Sequence, residues 1–225
     1  MVVEPHSQAF KTLAGNLDEI WDIQQVHSKI AGVTRGRKWK TSSLNKAGIV
    51  LLTAYLETYF ENLALDLFDF LVEHDSEAIF LSGLLIEVAK KLKSDPDHRA
   101  PLKLMGEGWK SELRGQRELC IKKYLETFNT PGHEKIDSLF EQMVGIKKIS
   151  ESWGTFGLKQ RGRSLKFLLK KFIELRGDIA HKGSTKKTVL KSDVETYVLV
   201  VVFIVIRTDE YVARTIRDQL DKSPW

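Results

Sequence analysis

The segment LNKAGIVLLTAYLETYFENLALDLFDFLVEH, Leu44 to His74, most constrains the fold. It contains no proline and one early glycine, and its apolar residues cover much of the helical circumference instead of one stripe. A helix apolar on so many sides must be buried against several neighbours. The pattern predicts a central helix over Leu44 to Glu73, with Ser43 as a capping candidate. The remaining apolar periodicity is also helical, with no run of alternating strand character. It predicts helices at Gln8–Ala31, Ser76–Lys93, a short one from His133, Ser164–Ala180 and Lys191–Gln219, the last capped by Ser192 or Asp193. Phe10, Leu13, Leu17, Ile20, Trp21 and Ile30 form the apolar surface of the first helix. The stretch from Ser94 to about Gly162 is less regular, with a charged helical segment over Leu102 to Asn129 that contains Trp109 and Leu113, and is broken by SDPDHRAP, by Thr130-Pro131-Gly132 and by the glycines of SESWGTFGLKQRGR. The expectation is one all-α domain over residues 1–225, a helical bundle of five to seven helices.

A single cysteine, Cys120, excludes an internal disulfide and argues against a cysteine-based zinc site. The six histidines form no closely spaced helical pair, so neither a metal nor a cofactor is expected. YVLVVVFIVI, Tyr197 to Ile206, is far shorter than the roughly 20 residues a membrane span needs. No signal-peptide pattern opens the sequence, and a cytoplasmic protein without membrane contact is expected.

The net charge of +5 is unevenly spread. KQRGRSLKFLLKK, Lys159 to Lys171, holds six basic residues and no acidic one, and TRGRKWK and HKGSTKK are equally one-signed. Such clusters suit a polyanion, although a solvated basic surface gives the same composition. Lys159, Arg161, Arg163 and Lys182 are the RNA-binding candidates. Trp109 and Trp153 are either base-stacking platforms or core residues. Tyr55 and Tyr59 read as packing or interface residues, with base stacking as the alternative.

ELRGDIAHKG, Glu174 to Gly183, carries the chemistry. Arg176 offers a permanent forked cation suited to phosphate oxygens. His181 has an ordinary pKa of about 6.5, suited to proton transfer near neutrality. Together they suffice for cleaving RNA without a metal, yet basic groups also favour helix C-termini for structural reasons. Five residues at about 100° each set the two side chains roughly 140° apart on a regular helix. One chain therefore aims both at one phosphate only if the helix distorts, whereas two copies across a two-fold axis can pool their pairs. Glu57 borders the apolar sector of the central helix, where pairing with Arg176 would offset its burial or water would reach it at the rim. Asp178 either bonds the imidazole or caps the helix end.

ELRGDIAHKG resembles the R-x4-H signature of HEPN domains. LLTAYLETYFENLALDLF and FNTPGHEKIDSLFEQMVGI followed by ESWGTFG resemble segments of the RiboL-PSP and MAE-type branches. The resemblance spans roughly Leu44 to Gln219. It implies an all-α homodimer with metal-independent endoribonuclease activity and RNA as substrate. Arg176 and His181 of both subunits would line a shared cleft, in a toxin or antiviral-defence setting with a cognate antitoxin or regulatory protein as a further partner. Gly177 follows the arginine where many active members carry a polar residue. Gly183 occupies the place of the tyrosine modified in silenced members. The alternative is a non-catalytic dimerisation module that binds RNA, a nucleotide or a protein.

Overall fold

The computed structural model describes residues 6–31, 41–157, 162–182 and 188–225. Eight α-helices occur among them: α1 (Gln8–Ala31), α2 (Ser42–His74), α3 (Ser82–Lys93), α4 (Gly108–Gly115), α5 (Arg117–Cys120), α6 (His133–Val144), α7 (Leu165–Lys182) and α8 (Lys191–Leu220). One two-residue hairpin, β1 (Thr155–Phe156) with β2 (Arg163–Ser164), is the only sheet among the described residues. The all-α expectation holds. The helix count exceeds the expected five to seven because the helical segment expected over Leu102 to Asn129 is divided into the short α4 and α5, followed by a single π-helical turn at Ile121–Leu125.

As its apolar circumference requires, α2 is the axis of the molecule. It packs against α1, α4, α6, α7 and α8. Leu52, Leu56, Phe60, Leu63, Ala64, Phe68 and Leu71 are all fully buried. Complete burial of a Leu or Phe side chain contributes about 1.5–3 kcal/mol, so this column supplies much of the folding free energy. One contiguous hydrophobic cluster runs from Ala9 in α1 to Ile216 in α8.

One buried polar cluster ties α1 and α8 to α2, and a second buried bond holds the segment before β1 on α8. Asp209 of α8 is 1% exposed and accepts from Ser7 N (2.8 Å), Ser7 Oγ (3.0 Å) and Tyr59 OH (2.7 Å). Ser7 Oγ also accepts from Phe10 N at 3.0 Å, so the same group caps α1 and ties it to α8. One residue away, Thr208 Oγ1 accepts from the indole N–H of Trp153 at 2.9 Å. Trp153 and Trp109 are both buried, which makes them core residues and not stacking platforms. Tyr59 is buried as well, and Tyr55 donates to Glu19 across the α1–α2 packing.

Two boundaries differ from the sequence reading. α3 begins at Ser82, not Ser76, because the Asp75 carboxylate accepts from Ile79 N (2.9 Å) and Phe80 N (2.8 Å) and Ala78 takes a positive φ of 53°. Thr41, not Ser43, occupies the N-cap of α2, and Ser43 lies inside the helix. Asp193 does serve α8, accepting from Leu190 N at 2.8 Å.

Candidate active site

α7 and α8 form a hairpin, and Phe172 stacks on Tyr197 between them at 4.9 Å. On the other side, Asn45 Nδ2 donates to Val189 O (3.0 Å) and Tyr59 OH to Val205 O (3.3 Å), so α2 and α8 run parallel. These pairings bring the last turns of α1 and α7 and the first turns of α2 and α8 to one end of the bundle. Lys191 Nζ donates to Ser28 Oγ at 2.9 Å, which closes α8 onto α1 at that end.

α7 is α-helical from Leu165 to Lys182 without a break. Its buried residues Leu165, Leu168, Leu169 and Phe172 form an inward stripe. Helical geometry sets Arg176 about 40° from Phe172, continuing that stripe, and His181 about 180° from Phe172. The burial pattern agrees: Arg176 is half-buried, and His181 is exposed. Arg176 Nε is shielded from solvent and has no hydrogen-bond partner. The two side chains diverge, so the helix distortion that would let one chain use both is absent. Asp178 is half-buried within α7, four residues before the helix ends at Lys182.

Glu57 does not pair with Arg176. Its Oε2 accepts from Thr130 N at 2.9 Å and holds the turn before α6, where Thr130 has a positive φ of 62°. The helix pairings set Arg176 at the level of Gly48 and Val194, while Glu57 lies roughly 13 Å further along α2. Glu57 is thus a brace for the α2–α6 packing.

Of the RNA-binding candidates, Lys159 and Arg161 lie outside the described residues, as does the side chain of Lys182. Arg163 is exposed on β2, with its guanidinium 5.5 Å from the Phe167 ring centroid. It makes no ion pair among the described residues and stands near the start of α7.

Several residues outside the sequence-predicted set stand out in the structure. Glu61 lies one turn beyond Glu57, and burial together with the Glu57 charge pushes its carboxyl up to about 7. The four-residue spacing of two glutamates on a half-buried helix was the available signal. Periodicity places Trp21 on the apolar face of α1, yet it is 41% exposed. Gln24 and Asn45 are buried. Gln24 Oε1 and Nε2 and Asn45 Oδ1 lack hydrogen-bond partners. A Cβ placed on Gly48 would lie 3.7 Å from Gln24 Nε2 and 3.4 Å from Val194 Cγ1, so the Gln24 amide occupies the Arg176 level.

Among the described residues no group of three His, Cys, Asp or Glu side chains is placed to hold a metal ion. Nor is any described helix long and apolar enough to cross a membrane. No curated protein sequence and no solved structure matches the chain significantly. The family model RiboL-PSP-HEPN matches residues 11–214, from within α1 to within α8, and so includes the whole bundle and the Arg176–His181 helix. With that match over nearly its full length, the chain belongs to the RiboL-PSP-HEPN family of the HEPN superfamily, whose members imply a nuclease or RNA-binding module.

Proposed function

We propose that the protein is a metal-independent endoribonuclease that acts as a homodimer, with a composite site built from Arg176 and His181 of both subunits. The carrying observation is the divergence of the two side chains on an unbroken helix. Arg176 continues the inward stripe with Nε unpartnered, while His181 faces solvent. A group so costly to bury is retained most readily when a ligand supplies its partner. A second α7 facing the first lets the Arg176 of one subunit act with the partner's His181.

In this reading one imidazole removes the proton from a ribose 2′-hydroxyl, and O2′ attacks the adjacent phosphorus. The Arg176 guanidinium stabilises the charge gathering on the non-bridging oxygens. The P–O5′ bond breaks, and the imidazolium just formed gives its proton to O5′. The products are a 2′,3′-cyclic phosphate and a 5′-hydroxyl. Asp178, half-buried one turn before His181, positions the site. Arg163 and the basic run of the sequence around Lys159, Arg161 and Lys182 guide the polyanion. A toxin or antiviral-defence role fits an activity of this kind, with an antitoxin or regulatory protein holding it in check, and the cytoplasm is the matching compartment.

The test incubates purified protein with total RNA in excess EDTA. Cleavage that leaves cyclic phosphate ends and disappears in folded Arg176→Ala and His181→Ala variants supports the reading. Intact RNA with every substrate, or cleavage unchanged in both variants, overturns it.

A further inference from the structure

Beside the Arg176 level, between the end of α1 and the start of α8, lies an open cavity of about 520 Å³. Trp21, Gln24, Gln25, Ser28, Lys29 and Lys191 line it. Its size suits a small organic ligand such as a nucleotide. The lining is unusual in one respect. Gln24 is 2% exposed, and neither atom of its amide has a hydrogen-bond partner. Buried side-chain amides are paired in the great majority of structures, and an amide with both atoms unpaired calls for a ligand or another explanation. Asn45 Oδ1 and Arg176 Nε, also unpartnered, belong to the same end of the bundle. This end is polar inside and incompletely satisfied.

The other walls specify the missing partner. Trp21, 41% exposed, places an aromatic ring in the lining. Lys29 makes no ion pair among the described residues, and Lys191 is held by Ser28 Oγ (2.9 Å) and Glu195 (3.7 Å). An aromatic face, an amide that both donates and accepts, and two ammonium groups match three parts of one ligand: a flat ring, a donor–acceptor edge and a phosphate. Unpaired RNA bases are recognised by such stacking and edge hydrogen bonding, and glutamine amides pair bidentately with adenine.

We propose that this cavity is a nucleotide subsite that holds one unpaired RNA base. Trp21 stacks on the base, the Gln24 amide pairs with its edge, and Lys29 and Lys191 receive the flanking phosphate. The amide lies beside Gly48, so pairing with a base takes a change of the Gln24 side chain to another staggered rotamer that swings the amide toward the cavity it lines. Lys191 opens α8 at the end of the bundle where α7 closes with His181, so a strand seated here enters the proposed cleavage site from one side. The inference rests on the RNA-directed reading above, but its test does not require cleavage.

The experiment uses full-length His181→Ala protein and measures binding of the four nucleoside 5′-monophosphates and of an unstructured RNA hexamer by calorimetry. At least one monophosphate is expected to bind saturably. Trp21→Ala should weaken binding at least about five-fold, the low end of a lost base–aromatic stack. Gln24→Leu should weaken it similarly while raising the melting temperature, since it removes an unpaired buried amide. That opposite movement separates loss of a contact from loss of folding. The proposal fails if no monophosphate or hexamer binds, or if dissociation constants stay unchanged in both variants. RNA cleavage by the wild type with no binding here sinks the subsite alone. Binding here with no cleavage sinks the reaction and leaves the subsite standing.

Discussion

Replacing Arg176 with methionine separates the energetic cost of this side chain from its chemical use. The methionine keeps an apolar stem along the inward stripe of α7 and removes the guanidinium. Arg176 Nε is buried without a partner, a condition that costs about 1–3 kcal/mol. The residue is half-buried, so part of the guanidinium remains hydrated and the lower end of that range applies. The substitution is therefore expected to stabilise the fold by about 1 kcal/mol, a rise of roughly 2–4 °C in melting temperature for a chain of this size. Cleavage should move the opposite way. Losing a cation that stabilises transition-state charge costs about 10²–10³ in rate. Thermal unfolding by circular dichroism and single-turnover RNA cleavage on one preparation give both numbers. A melting temperature several degrees lower would mean that Arg176 is a paired structural group. An unchanged cleavage rate would remove it from the chemistry.

Glu61 gives a pH-dependent prediction with a definite sign. Its folded-state pKa is raised from 4.5 to about 7, so its contribution to stability is full below about 4.5 and is lost as pH rises through about 7. Glu61→Gln should flatten the stability–pH curve in that window and raise stability at pH 8 by about 1 kcal/mol after allowing for solvent screening. Denaturant unfolding at four pH values checks it. The two glycines of contrasting surroundings should respond oppositely. At Gly145, with φ of 68°, an added Cβ would meet Phe80 O at 2.0 Å, whereas at Gly177 it would meet nothing within 4 Å. Gly145→Ala is expected to cost about 3 kcal/mol or more, and Gly177→Ala to stabilise α7 by about 0.5–1 kcal/mol, both read by urea unfolding. Trp153→Phe loses the bond to Thr208 and part of the buried ring, an expected cost of about 2 kcal/mol by the same measurement.

The helical skeleton was legible because its signals are local. The apolar circumference of α2 stated its central place, and the boundaries of α1, α6 and α8 followed from periodicity and turn residues. What escaped depends on partners far along the chain. The Asp209 clamp joins residues 150 and 202 positions apart, and no spacing in α8 announces it. The start of α3 depends on whether Asp75 captures two backbone N–H groups or leaves them to a helix. At the site, the roughly 140° between Arg176 and His181 expected from their spacing is kept because α7 is regular. The Glu57–Arg176 pairing failed because helical phase gives the face of a residue but not its level against another helix. Trp21 shows the same limit: periodicity assigns it to an apolar face, and only packing reveals that the face ends before it.

Subunit complementation tests the composite site most directly. Arg176→Ala and His181→Ala proteins are each purified, unfolded, mixed in equal amounts and refolded, then assayed on RNA in EDTA. A mixed dimer contains one intact Arg176 and, on the other subunit, one intact His181. If the site forms between subunits, the mixture should cleave RNA measurably faster than either variant refolded alone. Activity in the mixture no greater than that of the separate variants, with mixed dimers demonstrated by mass, would contradict a site shared across the two chains.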